Sequence, residues 1–144
     1  MGNSINLSIL IPLIPMGMVL FILTLLVSFN RTINRLTKPV SFLVILSLLS
    51  SALISSFFYF KKIEGDVLLY NYNNILQNKN LVLHLNSLTE QITILSNLLT
   101  ALVIAFLFYK LPRKKGYVSL LIGIGLISSS IIIVVMFLNF SVLI

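Results

Sequence analysis

The sequence predicts an all-α integral membrane protein: four transmembrane helices as two hairpins, with a short β-hairpin-like or surface segment between spans two and three. Three observations carry this reading. Of 144 residues, 58% are apolar and 9% charged, with a mean hydropathy of +1.11, which does not fit a water-soluble domain. Four windows without charge, residues 7–29, 40–60, 92–109 and 116–140, are long enough, or nearly so, to cross about 30 Å of hydrocarbon at roughly 1.5 Å per residue. One polar stretch, residues 61–90, holds all three acids (Glu64, Asp66, Glu90) and the single histidine, His84. Residues 1–144 therefore read as one membrane domain.

A net charge of +7 invites a nucleic-acid partner, but the placement of the bases argues against one. Arg31, Arg35 and Lys38 lie between spans one and two, and Lys110, Arg113, Lys114 and Lys115 between spans three and four. Positive residues in short connections mark the cytoplasmic face, or the stromal face in a plastid. Both termini and residues 61–90 then share the opposite, lumenal face. Beyond setting topology, these bases suit anionic membrane lipid or an acidic partner.

The first span opens on Ile11–Pro12–Leu13–Ile14–Pro15, where prolines near a first turn read as a helix start with a mild kink. It follows no basic leader, so it reads as a retained span rather than a signal peptide. Gly2 begins a myristoylation pattern that Asn6 breaks. After span one, the Lys38–Pro39 step resists helical geometry at Lys38 and predicts the break between two helices.

Span two carries Ser47, Ser51 and Ser55 at four-residue spacing, one stripe narrow enough for a neighbouring helix to approach and accept hydroxyl bonds. The alternative is that each serine bonds back to its own helix. The span closes on Phe57–Phe58–Tyr59–Phe60–Lys61–Lys62, aromatics for the membrane interface and lysines that reach the headgroups. All five tyrosines, Tyr59, Tyr70, Tyr72, Tyr109 and Tyr117, fall at or outside span ends. Leu81, Leu83 and Leu85 alternate with Val82, His84 and Asn86, a half-buried strand pattern; a surface helix is the other reading. Span three places Thr93, Asn97, Thr100, Ala101 and Ala105 along one side, with Asn97 set for an interhelical hydrogen bond. In span four, Ser119 and Gly123 form one small-xxx-small pair.

The chemistry is sparse. No cysteine is present, which excludes disulfides and thiolate metal sites. No Asp, Glu, Lys, Arg or His falls inside the four windows, whereas a proton-coupled exporter needs a carboxylate within the membrane. His84 and Asn97 are the only candidates for contact with a cofactor, and His84 lacks co-ligands at metal spacing, so no metal site is expected. Three acids near one surface assemble neither a paired-carboxylate nor a nucleophilic site, so no enzyme activity is expected.

Four stretches carry a family resemblance: Ile11 to Pro15; Asn30–Arg31 with Asn34–Arg35–Leu36 and Pro39; Phe57 to Tyr72; and Leu83 to Ile92. Over about residues 8–100 the chain resembles the N-terminal part of chain 5 of NAD(P)H:quinone oxidoreductase, the antiporter-like subunit of complex I, in its cyanobacterial or plastid form. The resemblance implies a lumenal start and a β-hairpin-like element after span two. Departures matter as well: Asn86 stands where the family has an acid, span four does not match, and the family's pump residues lie on later helices. What it implies is a truncated relative that does not pump. The expected function is a non-catalytic small subunit or assembly partner of a large photosynthetic or respiratory electron-transfer complex, seated in a thylakoid membrane. Its expected partners are larger membrane subunits and lipids. Two alternatives stand beside it: a photosystem accessory subunit touching chlorophyll or carotenoid, and a small oligomeric channel or carrier.

Overall fold

The computed structural model describes residues 7–33, 35–63, 65–74, 77–110 and 116–137. Arg113, Lys114 and Lys115 of the second basic connection lie outside them, as do Gly2, Asn6 and Glu64. The chain has an all-α membrane fold. One 3₁₀ turn (Leu7–Ile9) leads into α1 (Leu10–Ser28); a one-turn helix, α2 (Asn30–Ile33), precedes α3 (Thr37–Lys61); strands β1 (Gly65–Asn74) and β2 (Gln77–Leu85) follow, then α4 (Ser87–Lys110) and α5 (Tyr117–Phe137). Helices α1, with its leading turn, α3, α4 and α5 are each long and apolar enough to cross a membrane.

Two helix boundaries differ from the sequence expectation. Helix α3 begins at Thr37, so Lys38 and Pro39 sit inside its first turn rather than dividing two helices. The first four N–H groups of a helix have no acceptor within it, so a proline there forfeits no hydrogen bond. Helix α4 begins five residues ahead of the window that starts at 92. Its start is capped, because the Asn86 N–H donates to Thr89 Oγ1 at 2.9 Å and the Thr89 hydroxyl donates to the Asn86 carbonyl at 2.7 Å. A side chain reaching back three residues to the residue ahead of a helix is half of a capping box, and it satisfies a donor that would otherwise need water.

The four long helices pack in a ring, α1 on α3, α3 on α4, α4 on α5 and α5 back on α1, with the α3–α4 contact the most extensive. Large apolar side chains point out of the bundle: Phe42, Leu53, Leu102, Phe106 and Ile127 are all more than half exposed. Such a surface belongs in lipid, where outward Leu and Phe carry no cost. Inside, Val44, Leu48, Ile104, Val118 and Ile132 are wholly buried.

Strands β1 and β2 pair antiparallel from Gly65–Leu85 to Asn74–Gln77, with an extra residue accommodated between Leu68 and Tyr70. The hairpin is the strand pair that the alternation predicts. Leu83 and Leu85 point inward and join Ile11, Phe58, Ile132 and Met136 in one apolar cluster. An isolated two-stranded hairpin is marginal, so this cluster is what seats it on the ends of α1, α3 and α5. Tyr70, Tyr72 and Leu81 lie where only the backbone is described.

At the opposite end of the bundle, the Ser41 and Tyr117 hydroxyls lie 2.9 Å apart and tie the start of α3 to the start of α5. Arg31, Arg35, Lys38 and Lys110 therefore lie toward one end of the bundle and the hairpin lies at the other. Tyr117 corrects the expectation that tyrosines mark the membrane interface: it is 4% exposed and faces inward. Tyr109 is exposed, while Tyr59 accepts a bond from Gln91 Nε2 at 2.9 Å. Lys61 and Lys110 each lie back over an aromatic ring one turn away, Phe57 at 4.6 Å and Phe106 at 5.0 Å.

Candidate functional site: a polar interior on the hairpin side

The most informative site lies where α1, α3 and α4 meet, and it begins with a missing donor. Pro15 is inside α1 and has no N–H, so the carbonyl of Ile11, four residues earlier, receives no bond from it. Ser51 of α3 supplies one instead: its hydroxyl donates to the Ile11 carbonyl at 2.6 Å. Having spent its proton there, Ser51 Oγ can only accept, and Asn97 Nδ2 of α4 donates to it at 3.0 Å. The orientation of the Asn97 amide follows from this chain, with nitrogen toward Ser51 and Oδ1 turned away. Asn97 and Ser51 are both 0% exposed, and Oδ1 has no hydrogen-bond partner among the described residues.

The serine stripe divides between its two expected roles. Ser51 and Ser55 bond across helices, Ser55 to the Glu90 carbonyl at 3.2 Å, while Ser47 bonds back to the Val44 carbonyl of its own helix. Lower in α4, the hydroxyls of Thr100 and Ser128 lie 3.1 Å apart and join α4 to α5. Ala101 is buried against the core, but Ala105 faces outward. The pair in α5 is likewise displaced: Ser119 faces outward and nothing approaches the position a Cβ on Gly123 would take. The close approach occurs two residues on, at Gly125, where a Cβ would stand 2.6 Å from Val19 Cγ2 of α1. Two residues turn a helix by about 200°, so this is nearly the opposite face.

Glu90 is the main correction to the sequence reading. Expected in an aqueous loop, it lies in the first turn of α4 and is 3% exposed. The bundle therefore does enclose a carboxyl group, favoured at a helix N-terminus by the axial dipole. It lines a cavity of about 340 Å³ together with Tyr59, Phe60, Lys62 and Ser87. Residues 61–90 are thus partly built into the bundle, with Leu83, Leu85, Thr89 and Glu90 all buried. Asn86 followed by Thr89 and Glu90 is the helix-start signal that could have placed this boundary from sequence.

His84 is half-buried on β2. No group of three or more His, Asp or Glu side chains close enough to hold a metal occurs among the described residues. Arg31, Arg35, Lys38 and Lys110 are all exposed at the basic end. Helices, hairpin and buried polar contacts together define an integral membrane protein, a four-helix bundle with one end closed by a β-hairpin. Neither the protein-family models nor the curated proteins include a match to the chain.

Proposed function

We propose that this protein is a non-catalytic small subunit, or assembly partner, of a large electron-transfer complex in a photosynthetic or respiratory membrane. The observation that carries the reading is the outward placement of Ala105 and Ser119, small residues on an otherwise bulky apolar surface, which leave room for the helix of a neighbour to come close. The resemblance to chain 5 of NAD(P)H:quinone oxidoreductase supplies the type of complex, and the hairpin after the second span accords with it. In this reading the two basic connections face the cytoplasm or stroma, and the hairpin faces the lumen of a thylakoid.

Gentle solubilisation, native gel separation and mass spectrometry of the band containing the chain test this. Co-migration with the subunits of a quinone-reducing complex is the expected result. Migration as a free monomer or a homo-oligomer overturns it. A preparation carrying chlorophyll or carotenoid that is lost on His84→Ala would favour the photosystem accessory reading instead.

A further inference from the structure

We propose that the hairpin-side half of the bundle is a hydrated, dead-ended vestibule, and that Asn97 Oδ1 together with Thr93 Oγ1 holds a water molecule at its inner end. Three observations converge on this. A buried carbonyl oxygen needs a donor, and the hydroxyl protons of the residues along this run are already placed on backbone carbonyls: Ser51 on Ile11, Ser55 on Glu90 and Thr93 on Thr89. Thr93, one turn before Asn97 on the same helix face, keeps an oxygen that can accept. Water, with two protons to give, can serve both of these acceptors.

The second observation is a route. Glu90, Thr93 and Asn97 recur at i, i+3 and i+7, lie on one face of α4 and are each at most 3% exposed. Their span is about 10 Å along the axis, and its outer end opens on the cavity lined by Glu90, Lys62, Tyr59 and Ser87. Ser55 and Ser51 face the same run from α3. The third is a floor. Beyond Ser51 and Asn97, Leu48, Val44, Ala101, Ile104 and Val118 pack together as one apolar cluster, and the hydroxyls of Ser47 and Thr100 beside it bond back to carbonyls of their own helices. The vestibule reaches roughly the middle of α4 and stops there, which accommodates a role without transport and stands independently of any larger complex.

The absence of native cysteine makes the wild-type chain a ready background for single-cysteine labelling. Thr93→Cys and Ser55→Cys, reconstituted in lipid vesicles, should react with a small hydrophilic methanethiosulfonate on the order of 100-fold faster than Ala101→Cys or Ile104→Cys. A thiol among apolar side chains is held protonated, and two pKa units remove that much thiolate. Equal rates at all four positions overturn the proposal. Unsubstituted protein gives a second readout that does not depend on a variant folding: in water-edited solid-state NMR, the Asn97 side-chain amide should acquire water magnetisation that the Ile104 amide does not. Equal transfer to both overturns it as well.

Discussion

Ser51→Ala should lower the stability of the solubilised protein by roughly 1–3 kcal/mol, and the loss should shrink by about half when Pro15→Ala is already present. The single substitution strands two groups at once, the Ile11 carbonyl and one N–H of the Asn97 amide. Buried groups left unpaired cost about 1–3 kcal/mol each in proteins generally, whereas interhelical bonds removed within membranes average about 0.6 kcal/mol, which sets the range. Pro15→Ala restores an N–H four residues after Ile11, so the helix can satisfy its own carbonyl and Ser51 has less to do. Unfolding titrations of the four proteins of this double-mutant cycle in mixed micelles measure the coupling. Additivity within about 0.5 kcal/mol would mean that Ser51 does not stand in for the missing donor.

Gly125→Leu should be at least as damaging, because α1 and α5 meet where Gly125 faces Val19. Even the Cβ of Gly125→Ala would come within 2.6 Å of Val19 Cγ2. Val19 is 1% exposed and β-branched, with one favoured χ1 in a helix, so its methyl groups have little freedom to move aside. Overpacking of this kind costs about 1–3 kcal/mol, set against roughly 1 kcal/mol gained by replacing a helical glycine with alanine. Val19→Ala removes the clashing methyls, so Val19→Ala with Gly125→Ala should recover most of the stability that Gly125→Ala alone loses. Gly123→Ala and Gly17→Ala meet nothing within 4 Å and should leave the unfolding midpoint unchanged or slightly raised. A Gly125→Leu protein as stable as wild type would mean that the α1–α5 contact does not have the closeness described.

The buried carboxyl of Glu90 bears on function as well as folding. The apolar window begins at residue 92, after Glu90 and Gln91, and so predicts Glu90 in water. The helix does not stop there, because the Asn86–Thr89 cap allows another turn and a half, and Ser55 of α3 bonds to the Glu90 carbonyl within that turn. Hydropathy excludes carboxylates from the apolar windows, but not from the polar helix turn that the fold draws into the bundle. The same distinction explains Tyr117: being at a span end says nothing about which way the ring points, and Ser41 draws it inward.

The number and order of the spans, the strand pair between the second and third, and the gathering of basic residues into two short connections are all legible along the chain. These follow from local sums: enough consecutive apolar residues to cross hydrocarbon, an alternation of period two, and charge excluded from lipid. Which face of each helix turns inward emerges from packing alone. In a soluble helix the apolar stripe answers that question, but these spans are apolar all round, and lipid accepts leucine as readily as the core does. Rotation is left to a few polar and small residues whose partners lie on other helices, Ser51 with Ile11 and Asn97, Ser55 with Glu90, and Gly125 with Val19. Those pairings require the positions of two or three helices at once, which is why Gly123 looked like the contact and Gly125 is the one that makes it.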